Sequence, residues 1–152
     1  MSLITTLMTD DHRACDQWLG DAEQAAAEGN WSAVQHAARQ FRDALHSHFE
    51  TEEQVLFPRF ESATGMTQGP TRMMRIEHQE LRGMLETLLQ AALDEDAEEF
   101  EGEAETLLIM LQQHNMKEEN ILYPMCDQHI ASAEIEPELR ATLKGRHEGV
   151  PG

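Results

Sequence analysis

Apolar residues recur at intervals of three and four along almost the whole chain, and nowhere do they alternate with period two. From about Leu3 to Glu28 the pattern runs through Leu7, Met8, Cys15, Trp18, Leu19 and Ala22. From Trp31 to Phe60 it runs through Val34, Ala38, Phe41, Leu45, Phe49, Leu56 and Phe60. A third segment opens at Pro70, a favoured first helical position, and continues through Met73, Met74, Leu81, Leu85, Leu88 and Leu89 to about Ala92. A fourth, from about Ala97 to Gln128, carries Phe100, Leu107, Leu108, Leu111, Ile121 and Leu122.

Gly and Pro gather at the gaps: Gly29-Asn30, the stretch Ser62 to Pro70, and the tail ending Gly149-Val150-Pro151-Gly152. Four long helices with short connections predict an all-α fold, an antiparallel up-down-up-down four-helix bundle. A short C-terminal helix over Ile135 to Lys144, after Pro137, is expected to be appended to it, before a tail without pattern. The domain division read from this is 1–130 for the bundle and 131–152 for the helix and tail.

The chain also repeats itself. A shift of 66 positions carries His12 onto His78, His48 onto His114 and Glu52 onto Glu118. The same shift pairs Glu53 with Glu119, Leu56 with Leu122, Phe57 with Tyr123 and Pro58 with Pro124, so HFETEEQVLFP and HNMKEENILYP are two copies of one motif. Each half is a helical hairpin contributing one lone His and then an HxxxE.

Residues four apart on a helix lie about 40° apart around its axis, so His48 with Glu52, and His114 with Glu118, project from one face. His12 and His78 fall on the apolar faces of the other two helices. Four imidazoles and two carboxylates buried together cost several kcal/mol, about what buried polar groups cost unless something satisfies them. Two metal ions would do so, and the donor chemistry suits iron, manganese or zinc. With only two carboxylates in a two-fold arrangement, both glutamates are expected to bridge, leaving each metal two histidines, two bridging oxygens and open positions. Adjacent redox metals with open positions imply chemistry on dioxygen, peroxide or nitric oxide.

These residues resemble the hemerythrin-like, or HHE cation-binding, family, and the resemblance covers about Leu3 to Gln128. It implies a non-haem di-iron centre of two iron ions, oxo- or hydroxo-bridged, with His12 and His48 on one ion, His78 and His114 on the other, and Glu52 and Glu118 as bridges. The oxygen-carrying hemerythrins place a further His one turn before the third-helix ligand, where this chain has Met74. The site looks closer to the four-His, two-Glu proteins that repair iron-sulfur centres, which carry an extra cysteine-containing domain not seen in this sequence. The functional expectation is a di-iron protein that binds or senses O2 or NO or handles iron. The alternative is an enzyme on the same centre, with peroxidase, NO-metabolising or iron-sulfur-centre repair activity. A third reading is a structural or interaction bundle in which metal is at most incidental.

The remaining titratable groups are expected elsewhere. His46 lies about 200° around the helix from His48 and should face away from the centre, and His36, His129 and His147 are surface candidates. Glu53 and Glu119 are rotated about 100° from the bridges, so a place at a packing edge or in contact with a ligand is expected of them rather than ligation. Pro58 and Pro124 are expected to bend or end their helices, and Met8 and Met74 to line the metal pocket. The acidic stretch Asp94 to Glu105 reads as a solvated connection and helix start.

Composition narrows the partners. There are 29 acidic against 11 basic residues, a formal net charge of −18, which repels phosphate backbones and anionic headgroups and argues against nucleic-acid or membrane binding. No run of eighteen apolar residues occurs, and MSLITTLMTDDH lacks the pattern of a secretory signal, so a cytoplasmic location and a monomer are the expectations. Cys15 and Cys126 lack CxxC spacing and are expected to be reduced, buried thiols.

Overall fold

A computed structural model describes residues 3–148, with side chains as far as residue 143. The expected all-α architecture is present, without a strand among the described residues. The four long rods are α1 (Leu3–Ala27), α2 (Trp31–Thr51) continuing to α3 (Phe57–Thr64), α4 (Pro70–Leu93), and α5 (Ala97–Lys117) continuing to α6 (Tyr123–His129). α7 (Ser132–Glu148) follows. No helix among the described residues is long and apolar enough to cross a membrane.

The two hairpin turns are built alike, and they too are related by the shift of 66. After α1, Gly29 takes a left-handed φ of 73°, and the Gly29 and Asn30 amides return to the carbonyls of Ala26 and Ala25. Asn30 then caps α2 by accepting from the Ala33 amide. After α4 the same bonds run from Glu95 to Ala92 and from Asp96 to Ala91, and Asp96 caps α5 through the Glu99 amide. Here the left-handed position, at φ 54°, is held by Glu95 and not by glycine.

Neither Pro58 nor Pro124 ends its helix. Each follows a single wide π-turn, over Glu52–Leu56 and Glu118–Leu122, in which the Phe57 and Tyr123 amides reach back five residues to the Glu52 and Glu118 carbonyls. A proline ring in a regular α-helix collides with the carbonyl four residues earlier, and the wider turn accommodates it while the helix continues. α7 also departs from expectation. It begins at Ser132, and Pro137, its sixth residue, lies inside it without an amide to return to the Ala133 carbonyl.

Buried apolar side chains form two clusters. One fills the bundle toward the two hairpin turns, around Leu19, Phe41, Leu45, Leu85 and Phe100. The other lies toward the opposite end, where Ile4, Phe60 and Leu122 meet Ile135 and Leu139 of α7. At that end Asp127 ties down the start of α1, accepting from the Ile4 and Thr5 amides at 2.9 and 3.1 Å and from the Thr5 hydroxyl at 2.6 Å. Met73 and Ile121, counted among the periodic apolar positions, point outward instead. Between the two clusters, along the axis, runs a polar layer.

Candidate metal centre

His12, His48, Glu52, His78, His114 and Glu118 all lie in that layer, each no more than 2% exposed. Their donor atoms fall into two groups of four: His12, His48, Glu52 and Glu118, and Glu52, His78, His114 and Glu118, with ligand-type atoms in each group within 4.8 Å of one another. Both carboxylates straddle the groups. Glu118 Oε1 is 3.1 Å from His12 Nε2 while its Oε2 is 3.4 Å from His114 Nε2. Glu52 Oε2 is 3.6 Å from His48 Nε2 while its Oε1 is 3.1 Å from His78 Nε2.

Each imidazole is oriented by a carboxylate on its far nitrogen. His12 Nδ1 meets Glu119 at 2.7 Å, His48 Nδ1 meets Asp11 at 2.8 Å, His78 Nδ1 meets Glu53 at 2.7 Å and His114 Nδ1 meets Glu77 at 2.8 Å. An Nδ1–H donating outward leaves Nε2 as a lone-pair donor facing the axis, the tautomer that metal ligation needs. Of the two places expected for Glu53 and Glu119, the structure shows contact with a ligand-type histidine. Asp11 and Glu77 were not foreseen, although they too are 66 apart and each immediately precedes a lone His. Glu53 is gripped in turn by both guanidinium nitrogens of Arg82 at 2.9 Å, and Glu77 by Lys117. Phe49 stacks on His78, ring centroids 4.0 Å apart.

The two groups differ in one residue. The Tyr123 hydroxyl donates to Glu52 Oε2 at 2.5 Å and lies 3.0 Å from Glu118 Oε1 and 3.2 Å from both His12 Nε2 and His48 Nε2. Its counterpart Phe57 brings only a ring, 5.8 Å between centroids from His78. The donor atoms of that second group, Glu52 Oε1, His78 Nε2, His114 Nε2 and Glu118 Oε2, are buried without a hydrogen-bond partner. Four orphaned donors facing one point are what a cation would satisfy, so the residues present fit a bound metal.

The electrostatics agree. Burial pulls His78 down, but the carboxylates of Glu118, Glu52 and Glu53 around it outweigh that and raise its pKa to about 10. His12, His48 and His114 are raised by the same contest between burial and carboxylates. Burial works against the Glu118 charge, yet His114, His12 and His78 hold it well below the usual carboxylate range. Burial, with Glu118 and Glu52 beside it, pushes the Tyr123 phenol well above its ordinary value.

The other histidines stay outside both groups. His46 is half-buried, while His36 and His129 are exposed, and the side chain of His147 lies outside the described residues. Cys15 and Cys126 are buried and lie outside any disulfide. Met8 and Met74 are buried in the apolar cluster beside the layer. A cleft of about 160 Å³ between α4 and α5, lined by Met73, Ile76, Glu77, Met110 and Lys117, reaches His114 from the surface.

The family model described as the hemerythrin HHE cation binding domain matches residues 3–126. No curated protein and no solved structure matches the chain significantly.

Proposed function

The chain belongs to the hemerythrin HHE cation-binding domain family, and on that premise we propose that it is a non-haem di-iron protein that binds or senses O2 or NO, or handles iron. In this reading His12 and His48 hold one ion, His78 and His114 the other, and Glu52 and Glu118 bridge them. The observation that carries it is the set of four donors of the second group, all buried and all without a partner.

Bound iron would supply the electrons and the vacant positions for a small diatomic ligand. The chain's own contribution is positioning. Asp11, Glu53, Glu77 and Glu119 fix the four ring orientations and raise ligand basicity. The apolar clusters above and below keep bulk water from the layer. The cleft at His114 is large enough for a diatomic and small for an organic substrate, which favours ligand binding over turnover of a larger molecule.

Metal content and visible absorption of protein purified after iron-supplemented expression test the reading, with His78→Ala/His114→Ala as comparison. Two iron ions per chain, one for each donor group, and an oxo-bridge absorption lost in the double variant are expected. Protein that takes up no iron overturns it.

A further inference from the structure

The layer is two-fold symmetric in its histidines, its bridging glutamates and its outer carboxylates, yet one position breaks that symmetry at the point where a metal would sit. Tyr123 and Phe57 occupy equivalent places, five residues after Glu118 and Glu52. In an α-helix residues five apart are about 140° around the axis from each other and do not share a face. The π-turns between them bring each pair onto one side, so both rings point inward, and only Tyr123 carries an oxygen there.

That oxygen has four ligand-type atoms around it. With Nδ1 of His12 and His48 turned outward to Glu119 and Asp11, both Nε2 atoms face the hydroxyl, and Glu52 Oε2 and Glu118 Oε1 face it as well. All four lie within 3.2 Å of the one phenolic oxygen. A hydrogen-bonding role for the hydroxyl would need one or two partners. Convergence of four ligand-type atoms on it is instead the surrounding of a metal-binding oxygen.

Resting on the di-iron reading above, we propose that Tyr123 is a further protein ligand, of the ion held by His12 and His48. The two ions are then unequal: the first is closed by the phenolate, and the second, held by His78 and His114 against the ring of Phe57, is where the small ligand binds. On ligation the phenolic O–H bond breaks, a metal–oxygen bond forms, and the proton passes to solvent; no electron moves. The second ion is also the one whose ligand His114 lines the α4–α5 cleft.

Tyr123 is the single tyrosine of the chain, which makes the assignment direct. Ferric-loaded full-length protein is studied by resonance Raman spectroscopy under visible excitation, alongside Tyr123→Phe and Phe57→Tyr, with iron counted in each. Tyrosinate ring modes are expected in the wild type and their loss in Tyr123→Phe. Phe57→Tyr is expected to strengthen the modes per chain and to lose most of the binding of nitric oxide by the reduced protein. Two irons per chain with no tyrosinate modes in the wild type overturns the role of Tyr123 and leaves the di-iron reading standing. Undiminished nitric oxide binding in an iron-loaded Phe57→Tyr overturns the assignment of the ligand-binding ion. Protein that takes up no iron overturns both.

Discussion

Glu53 reaches across from one hairpin to hold His78 of the other, its carboxylate 2.7 Å from Nδ1, while Arg82 grips the same carboxylate with two nitrogens. The bond couples a residue that touches no metal in the proposed centre to the aim of one that does. Glu53→Gln keeps the size but weakens the hold on the imidazole. Iron affinity is expected to fall about 10- to 100-fold, the usual cost of losing such a partner, with helicity unchanged. Chelator competition and circular dichroism measure the two, and undiminished affinity would refute the positioning role.

The metal-free protein should be most stable on the mildly acidic side of neutrality. His78 is raised from 6.5 to about 10, so what it contributes is complete below pH 6.5 and disappears as pH climbs through about 10. Glu53, which burial opposes but His78 and Arg82 hold down at about 2, contributes fully above 4.5 and loses this as pH falls toward 2. Thermal melts of chelator-treated protein should therefore drop at both ends. A flat alkaline limb between pH 7 and 10 would contradict the charge balance described for His78.

Glu95 holds a left-handed backbone position that its counterpart, Gly29, takes without strain. Such a conformation costs a residue with a Cβ roughly 1–2 kcal/mol, partly offset by the extra freedom glycine gains when unfolded. Glu95→Gly is expected to stabilise by about 1 kcal/mol, raising Tm by about 2–4 °C for a chain of this size. A lowered Tm would mean that the Glu95 side chain earns its place by other contacts.

Leu139 of α7 is fully buried against the bundle. Leu139→Ala should cost about 2–5 kcal/mol, measured by denaturant unfolding, because the cavity opens in the cluster shared by α1, α3 and α6. A loss under 1 kcal/mol would show α7 to be a loosely attached appendage.

Much of this arrangement is legible in the chain before any fold is known, because a repeat reports which residues act together. The shift of 66 singles out six side chains that the structure then gathers into one layer. What it did not yield depends on geometry between helices or on a departure from α-helical spacing. Asp11 and Glu77 point about 100° away from the histidines beside them, and their partners stand on the next helix. Tyr123 looks like a misplaced core aromatic until the π-turn rotates it inward. Pro58 and Pro124 gave the clue, read as a bend or end of the helix where they mark a widened turn. The start of α7 escaped because its apolar pattern begins only at Ile135, three residues inside the helix.

Some of the carboxylate bonds stay within a hairpin and others cross between them. Asp11 to His48 and Glu77 to His114 are internal, whereas Glu53 to His78 and Glu119 to His12 join the halves, as do the shared Glu52 and Glu118. A single 66-residue half is therefore incomplete, and what it lacks is what an identical half offers when turned by a two-fold axis. The centre has the logic of a symmetric dimer written into one polypeptide. Within one polypeptide the two copies are free to differ, and at one place they do, with Phe57 in the first and Tyr123 in the second.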